Sequence, residues 1–210
     1  MASKTEIFNG ALLKLGSTPI TDADDDSKKT TATLNVRYQQ VRRNLLVLHP
    51  WNFSIRREKL DKLTTTPAFG FVNEFSLPAG SLRILATKAQ LDAYNVSSIA
   101  SFNVLLASEN FQKADTWKVE GTKFLNDSDD VSVLFIFDEK VEANFSPQFS
   151  ESLSALLAAE TAFKITGNRS LTKDLKKEFF EVILPESQRT DGQEGTLESI
   201  QVSSWISARS

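Results

Sequence analysis

Along Leu48-His49-Pro50-Trp51-Asn52-Phe53 the hydrophobic period changes from helical to two-residue, and this joint constrains the fold more than any other feature of the chain. Proline disfavours helical geometry in the residue before it and cannot donate the helical hydrogen bond, so the incoming helix ends at about His49. Trp51 and Phe53 then fall on one face. A large aromatic pair just past a helix end suits packing of that helix against a second layer. Pro50, Trp51 and Phe53 are therefore the candidate interdomain joint.

Upstream, Ser3 followed by Glu6 forms a capping-box pattern, Phe8, Leu12 and Leu15 recur at helical spacing, and Gly16 offers a C-terminal cap. Asp22, Asp24, Asp25 and Asp26 are expected at the N-terminus of a second helix, where the helix dipole favours carboxylates. Its apolar stripe from about Ser27 to Leu48 is Leu34, Tyr38, Val41, Leu45 and Leu48, with Arg37, Arg42 and Arg43 largely off it. Between Trp51 and about Val141 the period becomes two at Phe69, Phe71 and Phe75, at Leu82, Ile84 and Leu85, and at Phe102 and Val104. Trp117 to Leu125 reads as a hairpin turning at Gly121, followed by an apolar strand from Val131 to Phe137. From near Phe145 the helical period returns through Phe149, Leu153, Leu156, Leu157 and Phe163, ending at Gly167. A fourth helix, with Ser170 as a possible cap, carries the stripe Leu171, Leu175, Phe179, Val182 and Ile183 and stops at Pro185.

The expected fold is α+β. A four-helix body, two N-terminal and two C-terminal helices, occupies residues 1–50 and 145–185, a β-rich insertion occupies 51–144, and an extended arm occupies 186–210. Residues 186–195 are polar and turn-rich, but Ile200, Val202, Trp205 and Ile206 further on are too apolar for a solvated tail. Such isolated anchors mark a docking segment.

The 210 residues suffice for a sizeable core, to which fifteen Phe contribute. A net charge of −3 argues against a dedicated nucleic-acid binder, which needs a concentrated basic surface. No cysteine is present, so thiolate nucleophiles and thiolate metal sites are excluded. The N-terminus has no signal-like apolar region and no run approaches a membrane span, so no membrane partner and no secretion are expected. With one histidine, His49, the chain cannot build a two-His metal site, and no nucleophile elbow or Gly-rich phosphate loop occurs. Asp22, Asp24 and Asp26 have calcium-loop spacing, but Ser27 stands where that loop needs glycine and Thr33 where it needs glutamate. No catalytic residue, cofactor or metal is expected. Two other readings stay open: a glycan hydrolase using Asp138 and Glu139, and a carbohydrate-binding module stacking sugars on Trp117. The basic groups Arg37, Arg42, Arg43, Lys173, Lys176 and Lys177 are interleaved with acids, which suits solvated faces or subunit contacts better than a phosphate track.

Four segments in this order resemble tail tubular protein A, the head-to-tail adaptor family of short-tailed bacteriophages. They are Leu12 to Ile20, Leu45 to Phe53 with Pro50-Trp51-Asn52-Phe53, Trp117 to Leu125, and Phe145-Ser146-Pro147-Gln148-Phe149 running on to Glu160. Together they span roughly residues 7 to 185, while the stretch from about Leu60 to Asp115 carries no matching motif. The resemblance implies a non-enzymatic virion protein of the phage tail, assembled in the host cytoplasm. It would form a twelve-fold homo-oligomeric ring between the portal and the nozzle protein (tail tubular protein B), with tail fibres received at its outer edge. It further implies that the arm docks on the portal and the β domain faces the nozzle. Genomic DNA would pass through the ring without specific binding, its phosphates repelled by acids lining the channel.

Overall fold

The computed structural model describes residues 2–94 and 109–193. In chain order the elements are α1 (Lys4–Lys14), α2 (Lys29–Leu48), a 3-10 turn (Asn52–Ser54), β1 (Ile55–Lys59), β2 (Asn73–Ser76), β3 (Ser81–Thr87) and α3 (Lys88–Ala93). After the undescribed stretch come α4 (Glu109–Lys113), β4 (Trp117–Glu120), β5 (Lys123–Asn126), β6 (Ser132–Phe137) and a 3-10 turn (Glu142–Asn144). The chain then closes with α5 (Pro147–Thr166), α6 (Arg169–Glu178), a π-helical turn (Phe179–Ile183) and α7 (Leu184–Gly192). Helices and antiparallel strand pairs together make the class α+β. One three-stranded sheet has the order β1-β6-β3 and the other β2-β5-β4.

Two compact units result. Among the described residues, one holds 2–57, 78–85 and 134–191, and the other holds 58–77, 86–94 and 109–133 with residues 192 and 193. Sequence periodicity predicts one insertion over 51–144; the chain instead enters the second unit at Glu58, returns for residues 78–85 and enters again at Ala86. Period two marks where strands occur but not which strands pair, so it cannot reveal this interleaving.

In the helical unit, α5 is the hub against which α1, α2 and α6 pack. Ser146 caps it by accepting from the Phe149 N–H, Pro147 occupies the first turn, and Gly167 ends it in the left-handed conformation at φ +72°. Leu153, Leu157, Ala158, Ala159 and Ala162 are fully buried, and the short alanines let neighbouring helices approach closely. The α1 capping box forms as its sequence requires, with Ser3 Oγ accepting from Glu6 N and Glu6 Oε2 accepting from Ser3 N.

Several local expectations are corrected. The acids at 22–26 precede α2 without entering its first turn, because Asp22 accepts from Asp24 N and Asp25 from Ser27 N, which closes local turns instead. Asn168, not Ser170, caps α6 by accepting from Ser170 N and Leu171 N. The stripe proposed for this helix is only partly buried: Phe179 is inside, whereas Val182 is 48% exposed and Leu184 takes the inner position. The cause is the π turn, in which Leu184 N–H bonds to Phe179 O five residues back, shifting the helical phase by one residue. The helix continues past Pro185, just beyond this widened turn, into α7. Residues 186–192 are thus helical, not an extended arm, and Ile200, Val202, Trp205 and Ile206 lie outside the described residues.

In the second unit β4 and β5 form the expected hairpin, Glu120 opposite Lys123 and Trp117 opposite Asn126, with Gly121 at φ +59° in the turn. Phe75 pairs with Phe124 across β2 and β5, and both are fully buried. The alternation expected to begin at Phe69 does not form a strand there: Pro67 and Gly70, at φ +89°, break the run, and Phe69 is 89% exposed. Phe102 and Val104 lie outside the described residues.

Candidate functional site

Pro50 ends α2 as its chemistry requires, leaving His49 extended at φ −145°. The 3-10 turn that follows carries Trp51 and Phe53 onto the same partner, Phe149 of α5, at ring-centre distances of 5.2 and 4.9 Å. Trp51 is wholly buried, and its indole N–H donates to Leu45 O at 3.0 Å. The proposed interdomain role is corrected: Pro50, Trp51 and Phe53 all lie inside the helical unit, which extends to Arg57. A 3-10 turn replaces the strand that alternation suggested, so the aromatics return onto α5.

Asp191 completes this corner and was invisible in the sequence. Its Oδ2 lies 3.0 Å from His49 Nε2, its carboxylate accepts from Asn52 N, and its backbone carbonyl accepts from Asn52 Nδ2 at 2.5 Å. The end of α7 is thereby fastened to the segment following α2.

The six candidate contact cations separate into three groups. Arg42 is 3% exposed and lies 2.8 Å from Asp138, with a further short hydrogen bond to the Glu139 carbonyl, so it is a buried internal partner and not a subunit contact. Adjacent to Val41 of the inner stripe, it meets the buried Asp138 carboxylate, which holds it inside. Arg37 and Lys176 converge on Glu160 of α5 at 2.8 and 2.9 Å, and Arg43, half exposed, pairs with Asp138. Lys173 and Lys177 remain exposed on α6, Lys177 with only a loose 3.9 Å approach to Glu181. Glu160 had one sequence signal: it is the only charge between Glu151 and Lys164. Burial works against its charged form, but hydrogen bonds from Lys176 and Arg37 outweigh this and hold its carboxyl below the usual range.

The carboxylates considered for hydrolysis are both about 4% exposed and committed to the fold. Asp138 meets Arg42 and Arg43, while Glu139 meets Arg56 and accepts from the N–H groups of Lys140 and Val141. Nearby, a cleft of about 250 Å³ is lined by Lys4, Tyr38, Arg42, Arg43, Lys140 and Glu142. Burial and the adjacent Glu142 raise the Tyr38 phenol well above its ordinary range, so it stays a neutral donor to Glu142 at 3.0 Å.

In the second unit Trp117 is half-buried, stacked on Phe124 at 5.3 Å, with its N–H donated to Gln90 at 3.0 Å. One ring face and the indole N–H are thus already engaged within the fold. Among the described residues no group of three or more His, Asp or Glu side chains is placed to hold a metal ion. No protein-family model matches the chain, and no curated protein matches its sequence.

Proposed function

We propose that this chain is the head-to-tail adaptor subunit of a short-tailed bacteriophage, a structural virion protein that assembles as a ring between portal and nozzle. The observation carrying the reading is the ordered set of four segments that resemble tail tubular protein A, together with what those segments build. Leu12 to Ile20 covers the end of α1 and its Gly16 turn; Leu45 to Phe53 covers the α2 terminus and the buried Trp51. Trp117 to Leu125 is the hairpin, and Phe145 to Glu160 caps and forms most of the hub helix. Each segment is a structural punctuation point, as expected where geometry and not chemistry is under constraint.

In this reading α1, α2, α5 and α6 form the ring body, the second compact unit with its β2-β5-β4 sheet forms the nozzle-facing part, and residues 194–210 supply the portal-docking arm through Ile200, Val202, Trp205 and Ile206. The ring has twelve copies, tail fibres attach at its edge, and its acidic lumen lets DNA slide without sticking. Imaging purified protein mixed with portal particles tests this. A ring seated on the portal is expected, and removal of residues 194–210 should abolish seating without unfolding the helical unit, whose last latch is Asp191. Absence of any ring on the portal overturns the proposal.

A further inference from the structure

On α6, Arg169, Lys173 and Lys177 recur every fourth residue, so they share one outward face, and all three are exposed. Exposed aromatics flank this stripe. Phe163 is 48% exposed beneath the Arg169 guanidinium, 5.1 Å from it, and Phe180, 53% exposed, follows Lys177 in the π turn. No residue of α6 is fully buried, although Leu171 and Leu175 face inward. A cation stripe on a helix with no fully buried residue, flanked by exposed aromatics of the preceding helix and the following π turn, presents an open contact face.

The same unit carries the electrostatic counterpart. Asp22, Asp24 and Asp26 are exposed in the loop before α2, and Val36, 81% exposed, lies on α2 beside Asn35, whose side chain holds Asp26 at 2.7 Å. Among the described residues neither Lys173 nor Lys177 pairs with these acids; Asp24 meets Lys4 and Lys177 only Glu181. From this complementarity we infer that the α6 stripe with Phe163 and Phe180 docks on the Asp22–Asp26 loop and Val36 of a second copy of this chain. Two different faces of one subunit then meet, which is a head-to-tail contact and repeats from copy to copy. A nucleic-acid occupant is disfavoured because Asp174, Glu178 and Glu181 border the stripe and the chain is net negative.

The inference rests on the adaptor reading for its geometry, and the test separates the two. Sedimentation of the wild type, alone and with portal particles, is compared from about 0.05 to about 0.5 M salt, a range over which screening of exposed pairs becomes nearly complete. Self-association should weaken with salt. Lys173→Glu/Lys177→Glu should reduce it at least about tenfold, and Asp22→Lys/Asp26→Lys should do the same, each protein retaining its circular dichroism and melting temperature. An equimolar mixture of the two variants should associate again, because the reversed stripe of one meets the reversed loop of the other. If the loop variant fails to fold, the stripe variant alone decides the outcome. Association insensitive to reversal overturns the interface and leaves the adaptor standing. Reversal-sensitive association by a protein that never seats on a portal overturns the adaptor and leaves the interface. A wild type that stays monomeric in both settings, or a labelled oligonucleotide captured through Lys173 and Lys177 without self-association, overturns the inference.

Discussion

Trp51 shows how much one residue holds in this fold. Its ring meets His49 and Phe149 edge-on and its N–H finds a helix-end carbonyl, so the indole satisfies both its apolar body and its polar tip. Trp51→Ala should destabilise the protein by about 3 to 5 kcal/mol, read from urea unfolding, because the cavity cannot collapse between α2 and α5. A loss under about 1 kcal/mol would mean the aromatic corner repacks freely. Arg42 makes a different residue-scale point. Its burial against Asp138 is a commitment to the fold: removing Asp138 would strand the Arg42 charge in the interior, so Arg42 is not free to serve another molecule.

At the scale of elements, α1 and α5 approach closely at Gly10. A Cβ at Gly10 would sit 2.8 Å from Ser154 Oγ, and that hydroxyl is shared between the carbonyls of Ile7 and Ser150. Gly10→Ala should therefore cost about 1 to 2 kcal/mol, overpacking exceeding the gain in helix propensity. Ser154→Ala should recover part of that loss in the double variant, leaving a measurable coupling energy in a thermodynamic cycle. Simple additivity would show that the helices do not touch there. The π turn matters at this scale too, since its extra residue sets Leu184, Ser187 and Asp191 on the inner face of the last helix. Ser187 reaches Ser152 at 2.8 Å and Asp191 reaches His49, contacts that a regular helix would rotate away.

For the whole molecule, Glu160 ties three helices of the hub together and makes stability depend on pH. Its folded carboxyl titrates below the ordinary 4.5, so in the window between the two values the unfolded chain binds more protons. Stability should fall as pH drops through that window and be fully present above it. Glu160→Gln should flatten this part of the pH profile of the unfolding midpoint; an unchanged profile would place the acid sensitivity elsewhere. The effect is modest because Arg37 and Lys176 are partly solvated.

Caps, turns and periods were legible in the sequence because they depend on residues a few positions apart. The Ser3/Glu6 box, the Pro50 stop, the Gly121 hairpin and the Gly167 terminus all follow from local sterics and hydrogen bonding. The π turn escaped notice because helical spacing reads the same on either side of a one-residue slip. The candidate contact surfaces were only half legible: the cations of α6 stood out, but Arg42 looked no different from Arg43. Which of two adjacent arginines is buried depends on Asp138, nearly a hundred residues away, and the interleaving of the two units depends on pairings of similar range. Local chemistry thus determined the elements and their ends, while long-range packing alone decided which charges the fold consumed and which it left exposed.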